Sequence, residues 1–189
     1  YLPGNFGGDA LADIVSGKIN PSGKLPYTYP AFPNSLSTYY YKPSEVQNNS
    51  QGAYNYVGKL NNLYEFGYGL SYTKYEYKDF VLENDSLSIN DTIKVSVDVY
   101  NKGAISGFES VQLYSTDMYA SITPDNKRLR AFEKTYIESG SFKKITFKLP
   151  VNDLSFFNVN TKYSLEKGDF IISVGPNSKE LTSIPFNVN

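Results

Sequence analysis

Ile93, Val95, Val97 and Val99 alternate with Lys94, Ser96 and Asp98. A strict period of two is the mark of a strand with one face buried and the other in water. No other feature restricts the fold of this chain as much. Ile145, Phe147 and Leu149 repeat the alternation against Thr146 and Lys148, and Val111 and Leu113 continue it in a third segment. All these apolar residues are expected to point inward, because a one-residue slip would turn a whole set to solvent. Further candidate strands cover 72–83, 108–116, 128–137, 169–175 and 181–188. Turn signals separate them: NKG at 101–103, ESG at 138–140, EKGD at 166–169 and GPNS at 175–178. Short strands at roughly 8–12-residue spacing predict a mainly β chain, an antiparallel β-sandwich.

Ahead of the sandwich the pattern differs. PGNFGG (3–8) reads as a glycine-punctuated turn, and GDALADIVSG as a short helix with Leu11, Ile14 and Val15 on one stripe. Asp9 in the first turn complements the helix dipole, and Gly17 suits the position just past the end. NPSG (20–23) is a turn, and KLPYTYP (24–30) an extended segment pinned by Pro26 and Pro30. One helix and one strand cannot bury both their faces, so this segment is expected to need a sheet and helices from elsewhere. Residues 31–62 carry Asn, Ser, Tyr and Pro without a period, as in a long connection that joins or covers domains.

Composition removes several function classes. The 189 residues include no Cys and no His. A Cys/His zinc site, a Ser-His-Asp triad and a Cys-His dyad are therefore excluded, and any chemistry would fall to carboxylates, lysines or tyrosines. The antibody-type Cys…Trp…Cys core is missing too, so an immunoglobulin-like sandwich would be of the fibronectin type III variety. The 18 basic and 19 acidic residues interleave, with a formal net charge of −1 and no basic block. No nucleic-acid partner is expected, and no apolar run approaches the ~18 residues of a membrane span. The chain opens on Tyr1 and goes straight into its first motif, which reads as the middle of something longer.

LYEFGYGLSYTKYEY (63–77) packs five tyrosines, a phenylalanine and two glycines into one tract. Its rings suit either a stacking surface or a packed joint between domains. YLPGNFGGDALADIVSGKINPSGKLPYTYP resembles the end of the α/β sandwich domain of glycoside hydrolase family 3, with its PG-x-x-GG…G-x-x-NPSGKLP-x-T-x-P pattern. FGYGLSYTKYEY is similar to the signature at the start of that family's fibronectin type III-like domain, and GFESVQLYSTD, KRLRAFEK and LEKGDFIISVG resemble the rest of it.

The resemblance implies residues 1–33 as the end of the α/β sandwich domain, 34–70 as linker and joint, and 71–189 as the fibronectin-like domain. It implies that the rings fill the joint. It also implies, as partners, an upstream barrel and α/β sandwich domains, with a carbohydrate substrate for the whole. Family 3 enzymes are mostly retaining exo-acting β-glycosidases, which use two carboxyl groups. Neither of the motifs carrying those groups occurs in this chain, so catalytic, cofactor-binding and metal-ligating residues are all expected to be none, and the cofactor none. The compartment implied is secreted, periplasmic or lysosomal in type. Against this stands a free-standing carbohydrate-binding or adhesion module, which glycan affinity of the isolated chain would favour.

Local charges read modestly. Asp9 and Asp13 lie at i and i+4 on the helix and are expected to serve the dipole, a cap or solvent. Glu109 reads as an edge charge at a strand start. Lys127, Arg128 and Arg130 flank a strand where the family pattern is interrupted, with Thr123 before Pro124; a solvated edge is expected, an interdomain salt bridge being the sharper reading. Asn48, Asn84 and Asn90 head N-x-[ST] sequons.

Overall fold

The computed structural model describes residues 4–33, 38–43 and 62–189. Two sheets form the sandwich. In the smaller one β5 (Thr92–Asn101) lies between β3 (Tyr75–Leu82) and β8 (Phe142–Pro150), antiparallel to both. The larger has the order β4 (Ser86–Leu87), β12 (Thr182–Val188), β11 (Gly168–Gly175), β6 (Gly107–Asp117), β7 (Arg128–Ile137). Only the short β4–β12 pair is parallel among these ladders.

The alternation sets the register. Ile93, Val95 and Val97 lie opposite Leu149, Phe147 and Ile145, so the two apolar sets share one face and meet Val111 and Leu113 of the other sheet. Every residue expected to point inward is buried. Phe170 and Phe186 stack at 5.6 Å in the same core. Burying each such side chain stabilises by roughly 1.5–3 kcal/mol.

The seven strand segments read from the sequence are all present, with ends moved by a few residues. Strand β3 starts at Tyr75 rather than Tyr72, because Ser71 and Tyr72 bond to Asn20 of the first segment. The sequence reading lacks β4, the hairpin β9 (Phe156–Phe157) with β10 (Tyr163–Ser164), and the pair β1 (Tyr29–Pro30) with β2 (Asn62–Tyr64). Elements of two or three residues carry no period to detect.

Helix α1 (Gly7–Val15) holds Asp9 in its first turn, and Gly17 follows with φ 78°, as expected of a left-handed stop. No residue of α1 is buried. Leu11 is 62% and Val15 74% exposed, so these two of the stripe face outward from this chain, while Ile14 is half-buried. The loop stretch 44–61, with Asn48, lies outside the described residues. Asn84 and Asn90 are exposed beside β3, β4 and β5, where a glycan would be tolerated.

Candidate functional site

The first segment and the sandwich meet in a polar joint. Leu25 N donates to Tyr68 O at 2.8 Å, and Gly67 N donates back to Leu25 O at 2.8 Å. This pairing of KLP with FGYG leaves no space for side chains at two positions. A Cβ on Gly69 would drive into the Gly23 carbonyl, while Gly67 combines φ 79° with the Gln112 amide directly above it.

Asn20, from the NPSG turn, ties three places together. Its Oδ1 accepts from Ser71 Oγ at 3.0 Å and Tyr72 N at 2.8 Å, and its Nδ2 donates to Ser106 O at 3.4 Å. Tyr72 Oη then donates to Ile14 O at the end of α1, at 2.7 Å.

An ion pair closes the joint. Lys24 Nζ sits 3.2 Å from Glu109 Oε1, and Tyr77 Oη donates to the same oxygen at 2.9 Å. The lysine and glutamate side chains are only 17% and 4% exposed. Burial, and then the neighbouring Glu109 charge, hold the Tyr77 hydroxyl well above its ordinary range. Tyr75 is pushed up to about 12 by the same two causes in the same order. Both tyrosines therefore stay neutral at ordinary pH, and Tyr77 remains a donor. On the outer face of β6, Gln112 Nε2 donates to Gly67 O and Pro176 O, at 3.3 and 2.6 Å. Phe66 stacks on Tyr39 at 4.2 Å, and Ser178 N donates to Phe66 O at 2.9 Å.

Three expectations change here. Glu109 is not an edge charge: β6 lies inside its sheet, and the residue shares the inward face of Val111 and Leu113, which the alternation itself could have revealed. The basic cluster is a solvated edge only in part: β7 is the outer strand of its sheet and Arg128 is half exposed, but Lys127 and Arg130 are largely buried. Lys127 Nζ donates to Ser178 O at 2.8 Å, and burial lowers its pKa. Arg128 pairs with Asp125, which also takes Lys42 at 2.7 Å, and its guanidinium lies 4.8 Å from the Tyr40 ring centre. Arg130 sits in a β-bulge of β7, its pKa lowered by burial. As for the tyrosine tract, Tyr75 and Tyr77 pack on the core and Phe66 on Tyr39, but Tyr64 and Tyr72 stay exposed. Asp13 makes an exposed pair with Lys18 at 3.0 Å, and Asp9 is exposed.

A second feature lies beside the bulge. A cleft of about 460 Å³ is lined by Ser115, Asp117, Arg128, Arg130, Phe157 and Tyr163, among others. Burial lifts the Asp117 carboxyl above its ordinary range, with Glu166 adding to the effect. Among the described residues no three potential metal ligands come together, and no helix is long and apolar enough to cross a membrane.

Residues 1–72 match the glycosyl hydrolase family 3 C-terminal domain, and residues 109–178 match a fibronectin type III-like domain. The chain is 37% identical to a beta-xylosidase of Formosa agariphila, over 95% of this chain and 25% of that protein. It is also 37% identical to a lysosomal beta glucosidase of Dictyostelium discoideum, over 93% of this chain and 21% of that protein. The crystal structure of a beta-glucosidase from Listeria innocua, in complex with isofagomine, superposes with a TM-score of 0.89. Its identity is 31%, over 100% of this chain and 27% of that one. The chain thus spans about a quarter of the length of the relatives it matches.

Proposed function

The chain belongs to glycosyl hydrolase family 3 as the carboxyl-terminal part of its β-glucosidases and β-xylosidases, and from this we propose that it is the non-catalytic support of a retaining exo-acting β-glycosidase. In this reading the rest of the enzyme carries both catalytic carboxyl groups and the sugar pocket, and packs against the outward stripe of α1. The segment 1–33 completes the α/β sandwich domain, and residues 71–189 brace that domain from outside. The observation that carries the reading is the joint. Asn20 and Lys24 of the NPSGKLP motif spend their side chains on Ser71, Tyr72, Ser106 and Glu109, all within or next to the sandwich. Groups committed to such contacts hold two domains in one orientation.

A lysosomal and a periplasmic beta-glucosidase among the relatives support a secreted, periplasmic or lysosomal-type compartment. The test uses the longer protein that contains this chain, assayed on aryl β-glucosides and β-xylosides. Lys24→Met should lower its melting temperature and its lifetime at elevated temperature while leaving kcat/KM at 25 °C within about twofold. A loss of kcat with unchanged melting would instead give residues of this chain a part in the chemistry.

A further inference from the structure

Neither the joint nor the core accounts for the hairpin β9–β10. Phe157 and Tyr163 pair across it, ring centres 5.2 Å apart, yet are 66% and 58% exposed. Two large rings side by side in water make an apolar patch of the kind that marks an interaction site. Facing them across the cleft, Arg130 is fixed from behind: Nε donates to Ser115 Oγ at 2.7 Å and Nη1 to Asp153 O at 2.7 Å. Its Nη2 protons take no acceptor among the described residues. Asp117 is held by Tyr119 N on Oδ1, at 3.2 Å, and its Oδ2 accepts from no described residue.

The charges say what kind of ligand fits. Lys42, Arg128 and Arg130 line the cleft with Asp117 and Asp125. Lys42 and Arg128 are both paired with Asp125, which leaves one fork of donors on Arg130 and one acceptor oxygen on Asp117. The lining keeps an excess of one positive charge, but the groups left free are a donor fork and an acceptor oxygen side by side, which suit a ligand that both gives and takes hydrogen bonds. Adjacent hydroxyls of a sugar do this bidentately, and the C–H face of the ring stacks on an aromatic side chain. The volume falls in the range of small-ligand sites.

We propose that this cleft is a binding subsite for a neutral oligosaccharide, stacked on Phe157 and Tyr163 and hydrogen-bonded by Arg130 and Asp117. The choice of sugar rests on reading the chain as part of a β-glycosidase. The test is titration of the ¹⁵N-labelled 189-residue chain with cellotetraose and with xylotetraose, followed by amide shifts. Saturable shifts grouped at residues 115–130 and 154–165 are expected from at least one of them. Phe157→Ala or Tyr163→Ala should weaken binding about tenfold, with the melting temperature kept. Tyr163→Gln gives the same reading should the alanine variant melt early. No saturable shift up to about 10 mM of either sugar overturns the proposal. So do shifts centred on Tyr64 and Tyr68, or affinity unchanged by the aromatic variants. Binding matched by sulfate and lost in about 0.3 M salt would assign the arginines to an anion instead. The parent reading is tested by hydrolysis and by joint variants outside this cleft, so either can fail alone.

Discussion

Replacing Lys24 with Met isolates what holds the first segment to the sandwich. The methionine keeps most of the volume and removes the charge, leaving Glu109 buried with only the Tyr77 hydroxyl. Breaking a fully buried ion pair costs about 3–5 kcal/mol. Lys24 is partly wet at 17% exposure and Tyr77 still bonds the carboxylate, so about 2–3 kcal/mol is the expected loss. For a chain of 189 residues that is a fall of about 4–12 °C in melting temperature. Adding Glu109→Gln removes the stranded charge but keeps an acceptor for Tyr77. The double variant should recover to within about 1 kcal/mol of the original chain. Urea unfolding by circular dichroism reads the global loss. Exchange of the Leu25 and Gly67 amides, which are bonded across the joint, reads the local one. A cost below about 0.5 kcal/mol for Lys24→Met, or singles that simply add in the double variant, would refute the reasoning.

Gly69→Ala should cost about 1–3 kcal/mol, because its Cβ meets the Gly23 backbone and not a movable side chain; faster exchange of the Leu25 amide with an intact sandwich core would locate the damage. Alkaline unfolding should feel Tyr75. Its hydroxyl is raised in the fold from 10.0 to about 12, so the stability it contributes is complete below pH 10 and is lost as pH rises towards about 12. Tyr75→Phe should flatten the pH dependence of unfolding in that window, and an unchanged slope would contradict the assignment. The purified 189-residue chain should hydrolyse no aryl β-glucoside or β-xyloside above buffer. Turnover abolished by Asp9→Asn or Asp13→Asn would overturn that expectation.

The parts legible in the sequence are those where one residue type repeats at a structural period. Ile93 to Val99 and Ile145 to Leu149 gave both strand and face, because opposite residues across β5 and β8 belong to the same apolar set. Leu11, Ile14, Val15 and Gly17 located the helix and its end for a similar reason. The joint was legible only through the family resemblance. Lys24 and Glu109 stand 85 positions apart, and no local pattern says that a glutamate on a strand will meet a distant lysine. Glu109 could have been placed inward by parity with Val111, but an isolated charge reads as an edge until its partner is seen. Arg130 escaped because a bulge shifts the register between Leu113 and Tyr114. Phe157 and Tyr163 escaped because each sits in a strand of two residues.

The central claim, that the outward face of α1 is where the rest of a family 3 enzyme packs, is tested most directly by hydrogen exchange at residues 10–16. The comparison is between this chain alone and the same residues within the longer protein. Leu11 and Val15 are exposed here and a nine-residue helix is marginal by itself. The account predicts fast exchange in the isolated chain and protection at least ~100-fold greater in the longer protein. Equal exchange in the two would mean that nothing packs on this face, and would contradict it.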